Sequence, residues 1–489
     1  MRCSSVPCLL ALSTFCGAIN ASATPAPLQL RECRIEGAIA HGAAAARCGS
    51  YVVKEDRADP RSRELRLHVA VMPALRLRPE RDPLFVLSGG PGQAASDFYL
   101  SVAPAFARIR RDRDIVLVDQ RGTGRSHRLD CDLPEEGELA AAELERLREA
   151  VRACLAALPG DPRHYTTSVA VRDLDDVRAA LGYDVVSLYG ASYGTRVAQH
   201  YMRRYPERVR AAILDGVVPA EIGLGPDIAL VAQQALDATF ARCAADARCN
   251  ETFPGIDRQF LELRTRVRQQ PFTASIPDPV TARATQATLG EAHLAAAVRL
   301  LTYSDETSSV LPLLIHEAQS QRPQALAAQY LMIRDALKKQ LAQGMHFAVV
   351  CSEDAPRWPP QREHDAEVAR TYMGLDFMKA MRAICEQWPR GPVDPDFGDP
   401  LETDIPTLLL SGEADPATPA RYASQALPGF SGGRHLELAG QGHGQIGAGC
   451  VPRLAAEFIA AASTQALDAE CVKLVRPTPF MLTLTSPAP

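Results

Sequence analysis

The sequence is short of several things that would have assigned it to a function class at once. No C-x-x-C pair occurs among its 13 cysteines, which removes the commonest ligand spacing of a structural zinc site. Neither charge is in surplus: 53 basic residues against 58 acidic ones leave a formal charge of −5. That balance gives no reason to expect nucleic acid or an anionic membrane as partner. The densest basic stretch, Arg108 to Arg113, reads as the solvated face of a helix. Beyond the first two dozen residues no segment is apolar enough to span a membrane, and no internal repeat appears. Gly122-Thr123-Gly124 starts like a dinucleotide-binding loop, but His127 stands where the third glycine belongs, which excludes that motif. Neither a metal nor an organic cofactor is implied.

What is present fits a globular chain. At 46% apolar and 23% charged residues, 489 residues suffice for a large core and two or three average domains. At the N-terminus, Arg2 precedes a mostly apolar stretch from Pro7 to Ile19, and Ala21-Ser22-Ala23 supplies the small-x-small pattern of signal cleavage. The expectation is an export signal over 1–23, cut near Ala23, and a periplasmic or secreted protein with no membrane anchor in its mature form. Cys3, Cys8 and Cys16 lie inside the signal, so ten cysteines remain, an even number suited to an oxidising compartment. Pairing by nearest neighbour gives Cys33 with Cys48, Cys131 with Cys154, Cys243 with Cys249, Cys351 with Cys385, and Cys450 with Cys471.

From Tyr51 onward short apolar strands alternate with helical stretches, the pattern of a mostly parallel sheet. Leu65 to Met72 alternates like an edge-proximal strand, whereas Leu84 to Leu87, Asp114 to Val118, Asp184 to Tyr189, Ala211 to Leu214, Ile405 to Leu410 and His435 to Leu438 read as strand runs, most of them continuously apolar like buried parallel strands. The interval 221–400 is helix-rich and falls between two of those strands, as a cap over the open end of the sheet would. The expected division is a core in two parts, 24–220 and 401–475, the helical cap between them, and a loosely ordered tail over 476–489.

The chemistry is concentrated in Gly190-Ala191-Ser192-Tyr193-Gly194, which matches G-x-S-x-G directly after a strand and before a helical stretch. A sharp strand-to-helix turn exposes the Ser192 hydroxyl at the sheet edge, and the helix N-terminus beside it favours a developing oxyanion. This is the nucleophile turn of the α/β-hydrolase fold, where the chain order is serine, acid, histidine. Asp415 and His443 stand on loops after later strands and fit that order, with Asp415 orienting the histidine and His443 acting as base. Asp215, after its own strand, is the serious alternative acid, while Glu413 and His435 are weaker competitors. Ser88-Gly89-Gly90-Pro91-Gly92 ends a strand where a second oxyanion donor belongs. Since Pro91 has no amide hydrogen, Gly90 is the natural donor, together with the amide of Tyr193.

Gly89-Gly90-Pro91-Gly92, Asp119-Gln120-Arg121-Gly122-Thr123-Gly124-Arg125-Ser126, the Ser192 turn and Asp415-Pro416-Ala417-Thr418-Pro419 together resemble the prolyl aminopeptidase and tripeptidyl aminopeptidase family of α/β-hydrolases, from about residue 30 to 475. The segment holding His443, Cys450 and Cys471 is similar to the tripeptidyl aminopeptidase branch. The resemblance implies a serine exopeptidase that takes peptides with a free N-terminus, releases single residues or short peptides, and uses its cap for selectivity. Cap acids bind the substrate amine in such relatives, and Glu353 and Asp354 are the candidates here. Ser88 departs from the histidine usual before Gly-Gly-Pro-Gly, which touches loop support rather than the triad. An esterase or amidase with the same triad, and a non-catalytic binding protein on this scaffold, are the competing functions.

Overall fold

Runs without polar alternation become the buried middle of one sheet. In the computed structural model, which describes residues 27–485 except 39–41, 132, 134–143, 279–280 and 361–364, strands β4 (Leu84–Leu87), β5 (Ile115–Val118) and β6 (Val186–Ala191) are buried at every position. β7 (Val209–Asp215) is nearly so, and β10 (Thr407–Gly412) completely. Successive side chains point to opposite faces. Phe85 and Leu87 therefore enter one apolar layer, with Val116, Leu188 and Val197, while Leu84 and Val86 enter the other, with Leu117, Ile213 and Phe458. The nine strands run in the order β1-β2-β3-β5-β4-β6-β7-β10-β11, where β1 is Arg31–Glu36, β2 Ala43–Lys54, β3 Glu64–Met72 and β11 Gly433–Leu438. The first three strands are antiparallel additions, and every pairing from β5 to β11 is parallel.

β3 is not edge-proximal as its alternation suggested, because β2 and β1 lie outside it. Nothing in the alanine-rich stretch Ala43 to Ala46 advertises a strand. Between β7 and β10 the chain builds helices such as Ile228–Ala245, Glu291–Leu301, Asp305–Gln319 and Gln324–Gln340 around a separate apolar cluster. It also builds an antiparallel pair, β8 (Phe272–Pro277) with β9 (Ala284–Leu289), which the helical expectation lacked. The pair forms because Ala274, Ile276, Ala287 and Leu289 alternate inward against the helices.

Two further expectations change. Only Ala107–Arg110 of the basic run is helical, Ile109 is buried, and Arg113 is buried in an ion pair with Asp82 at 2.9 Å. The tail is docked rather than loose over 476–485. The Thr478 amide and hydroxyl both donate to Asp305, at 2.7 Å, and the Arg242 guanidinium sits 3.9 Å above the ring of Phe480, which is buried against the insertion. The last four residues, and the signal expected over 1–23, lie outside the described residues. The five disulfides join the nearest-neighbour cysteine pairs. Among the described residues no helix is long and apolar enough to cross a membrane.

Candidate active site

Ser192 stands between β6 and the helix Tyr193–Arg204 with φ 54° and ψ −123°, a strained conformation for a residue with a side chain. The flanking glycines make it feasible. A Cβ on Gly190 would lie 2.4 Å from the Gly194 carbonyl oxygen, and one on Gly194 would lie 2.2 Å from that of Leu87. Strand, turn and helix therefore close against bare backbone. The turn is also bonded from both sides: the Ser192 amide donates to Asp215 O at 2.8 Å, and the Thr195 hydroxyl donates to Ser192 O at 2.6 Å.

Asp415 and His443 meet on the loops after β10 and β11. His443 Nδ1 lies 2.8 Å from Asp415 Oδ2. A carboxylate can only accept, so Nδ1 carries the hydrogen and Nε2 is left with a lone pair. Asp415 is fixed in turn by the amides of Ala417 and Thr418, each at 2.8 Å, and by the Thr418 hydroxyl at 2.9 Å. Burial pulls the His443 pKa down, but the charge and hydrogen bond of Asp415 outweigh it, so the imidazole titrates above its ordinary value.

The competitors have other work. Asp215 is fully buried, accepts from the Tyr189 hydroxyl and from the amides of Gln445 and Ile446, and so braces the loop that carries His443. Burial pushes its carboxyl up to about 6. Gly216, the next residue, has so little room that a Cβ there would lie 3.0 Å from His443 Cε1. Asp215 and Gly216 thus join the serine turn to the histidine loop. Glu413 accepts the Gly440 amide at 2.8 Å, and His435 Nε2 is 2.5 Å from the Ser411 hydroxyl.

The glycine loop after β4 folds over the turn, and a Cβ on Gly89 would touch Ser192 Cβ at 3.0 Å. Ser88, in the place of the usual histidine, donates its hydroxyl to Gln93 O at 2.6 Å and closes the loop itself. Gly90 adopts φ 107°, which leaves the position to glycine. The insertion reaches this loop: the Ala342 amide donates to Gly92 O at 3.0 Å, and His346 Nδ1 is 3.2 Å from Pro91 O. The segment Asp119 to Ser126 is architectural. The Asp119 carboxylate accepts from the amides of Ser96 and Arg125, and fully buried Arg121 binds Asp173 at 2.6 Å.

Glu353 and Asp354 are buried, at 3% and 0% exposed. They lie in a π-helical turn, Val350–Asp354, held by the Cys351–Cys385 bridge. Glu353 accepts from the amide and hydroxyl of Thr167, and burial pushes its carboxyl up to about 7. Asp354 pairs with Arg196 at 2.7 Å and accepts the Leu224 amide at 2.8 Å. Both acids thus bond the insertion to the core. Tyr303 went unnoticed in the sequence. Its carbonyl accepts the His443 amide at 2.6 Å, and its ring meets the imidazole edge-on at 5.3 Å. No periodicity marks such a residue, since its role depends on a contact made across the insertion.

Residues 82–287 match the family model described as the alpha/beta hydrolase fold, and residues 371–471 match that of TAP-like proteins. The chain has the α/β-hydrolase fold, and it is a hydrolase. It is 26% identical to a tripeptidyl aminopeptidase of Streptomyces coelicolor over 88% of this chain and 84% of that one. Over 46% of each chain it is 29% identical to serine protease Hip1 of Mycobacterium tuberculosis. A proline iminopeptidase of Lactobacillus delbrueckii is 29% identical over 28% of this chain and 37% of its own.

Proposed function

We propose that this hydrolase is an exported serine aminopeptidase that releases single residues or short peptides from free N-termini. The observation that carries the proposal is the His443–Asp415 bond, joined to the strained Ser192 turn through Asp215 and Gly216. His443 Nε2 removes the hydroxyl proton of Ser192 as the oxygen attacks the substrate carbonyl. The amides of Gly90 and Tyr193 hold the oxyanion, while Asp415 stabilises the imidazolium. His443 then protonates the leaving amine, and water hydrolyses the acyl-enzyme. The aminopeptidase relatives support the exopeptidase choice, and five disulfides suit a periplasmic or secreted location. The insertion serves as the cap that selects substrate. Glu353 and Asp354 stay the candidates for holding the substrate amine, and Asp354 Oδ2 is buried without a hydrogen-bond partner among the described residues.

The test compares free-amine peptide anilides, their N-acetylated forms and a nitrophenyl ester. Cleavage confined to free-amine peptides is expected. Equal cleavage of acetylated peptides, or turnover of the ester alone, refutes the aminopeptidase assignment, and the size of the released fragment reports how many residues leave together.

The pH profile gives an independent check. A base must be neutral to act, so kcat/KM rises with pH as His443 loses its proton. Because the folded imidazole titrates high, the midpoint of that rise is expected above the ordinary value of about 6.5. A midpoint below that value would be incompatible with the Asp415 contact.

A further inference from the structure

Strands β4 and β5 run parallel, so their leading ends share one edge of the sheet and their trailing ends the other. Ser192 and the glycine loop follow trailing ends. At the leading edge lies a different surface. The loop that precedes β4 carries Leu75 at 68% and Leu77 at 101% exposure, among the most exposed large apolar side chains of the described residues. Arg78 and Arg81 are exposed on the same loop, and Arg108 and Arg111 are exposed on the segment that precedes β5. The two segments form one surface: the amides of Leu75, Arg76 and Glu80 donate to the carbonyls of Arg110, Arg111 and Asp112, at 3.0, 3.0 and 2.8 Å. The leucines therefore project from a fixed platform.

The nearby acids do not cancel this charge. Glu80 and Asp112 both face Arg76, while Asp82 is buried between Arg113 and Arg210. Arg78, Arg81, Arg108 and Arg111 have no acidic partner among the described residues. The chain as a whole carries a formal charge of −5, so the cationic patch is local and invisible in the total.

We propose that this edge docks the protein on a membrane bearing anionic lipid headgroups, with Leu75 and Leu77 entering the headgroup layer and the arginines meeting the anionic headgroups. An acidic polymer would satisfy the arginines but gives no reason for two exposed leucines beside them. A lipid surface satisfies both. Docked this way, the opposite edge of the sheet, with Ser192, faces solution. The inference does not depend on which bond the enzyme cleaves.

The experiment is co-sedimentation of the mature chain with vesicles of phosphatidylcholine containing phosphatidylglycerol, against pure phosphatidylcholine, at low and high salt. About ten-fold or more stronger binding to the anionic vesicles is expected at low salt, falling as salt rises. The double variant Arg78→Glu with Arg108→Glu should abolish it. Leu75→Ser with Leu77→Ser should weaken it several-fold while the salt dependence persists. Thermal unfolding of both variants, expected to match the parent, separates lost docking from lost fold. Equal binding to both vesicle types, no binding, or variants that bind like the parent overturn the proposal. Retention on a soluble polyanion without vesicle binding also overturns it, and would assign the patch to an acidic polymer.

Discussion

Ser192→Ala is expected to lower turnover by about four to six orders of magnitude while leaving the protein folded. Alanine keeps the Cβ that the turn already accommodates, and none of the hydrogen bonds that fix the turn uses the serine hydroxyl. Only the attacking oxygen is removed. The remaining rate would come from the amides of Gly90 and Tyr193, which still polarise a bound carbonyl for attack by water. Steady-state kinetics on a cleaved anilide, with a fluorophosphonate probe as a second readout, measure the effect. Near-normal turnover, or undiminished probe labelling, would remove Ser192 from the mechanism. So would a matching loss of thermal stability, since the change would then be structural.

The second large effect is on stability. Asp354→Ala should destabilise the protein by about 3–5 kcal/mol, because it strands the Arg196 guanidinium in a buried site without its carboxylate. The two side chains are 1% and 0% exposed, so solvent screening offers no relief. Replacing both partners with apolar residues of similar volume, Arg196→Met with Asp354→Leu, should cost less than the single change, because the Arg196 charge then leaves together with its partner. Denaturant midpoints of the three proteins decide the matter. A single variant no less stable than the double would contradict this account of the pair. Arg196 lies on the helix that begins at Tyr193, and Asp354 belongs to the insertion. The pair therefore couples insertion to core one turn from the nucleophile.

The central sheet was legible because β4, β5, β6, β7 and β10 are almost wholly buried and so show as mainly apolar runs. β1 and most of β2 were not, since alanine and arginine carry no strand period and their pairing comes from the neighbouring strand. The same difference separates Ser192, Asp415 and His443 from Glu353 and Asp354. The first three are announced by glycines and by chain order, both consequences of local backbone geometry. Where Glu353 and Asp354 bond is decided by Thr167 and Arg196, distant in sequence, and an acidic dipeptide looks alike whether it faces solvent or a buried arginine. Asp215 shows the limit from the other side. It has the right position for a catalytic acid, yet its oxygens are claimed by the amides of the histidine loop. The cysteines were readable as local couples because every bridge closes a short loop, none longer than the 34-residue separation of Cys351 and Cys385.

The bond from the His443 amide to the Tyr303 carbonyl ties the histidine loop to the insertion. His443 takes part of its register from the insertion, so a displacement of Tyr303 would shift the imidazole with it.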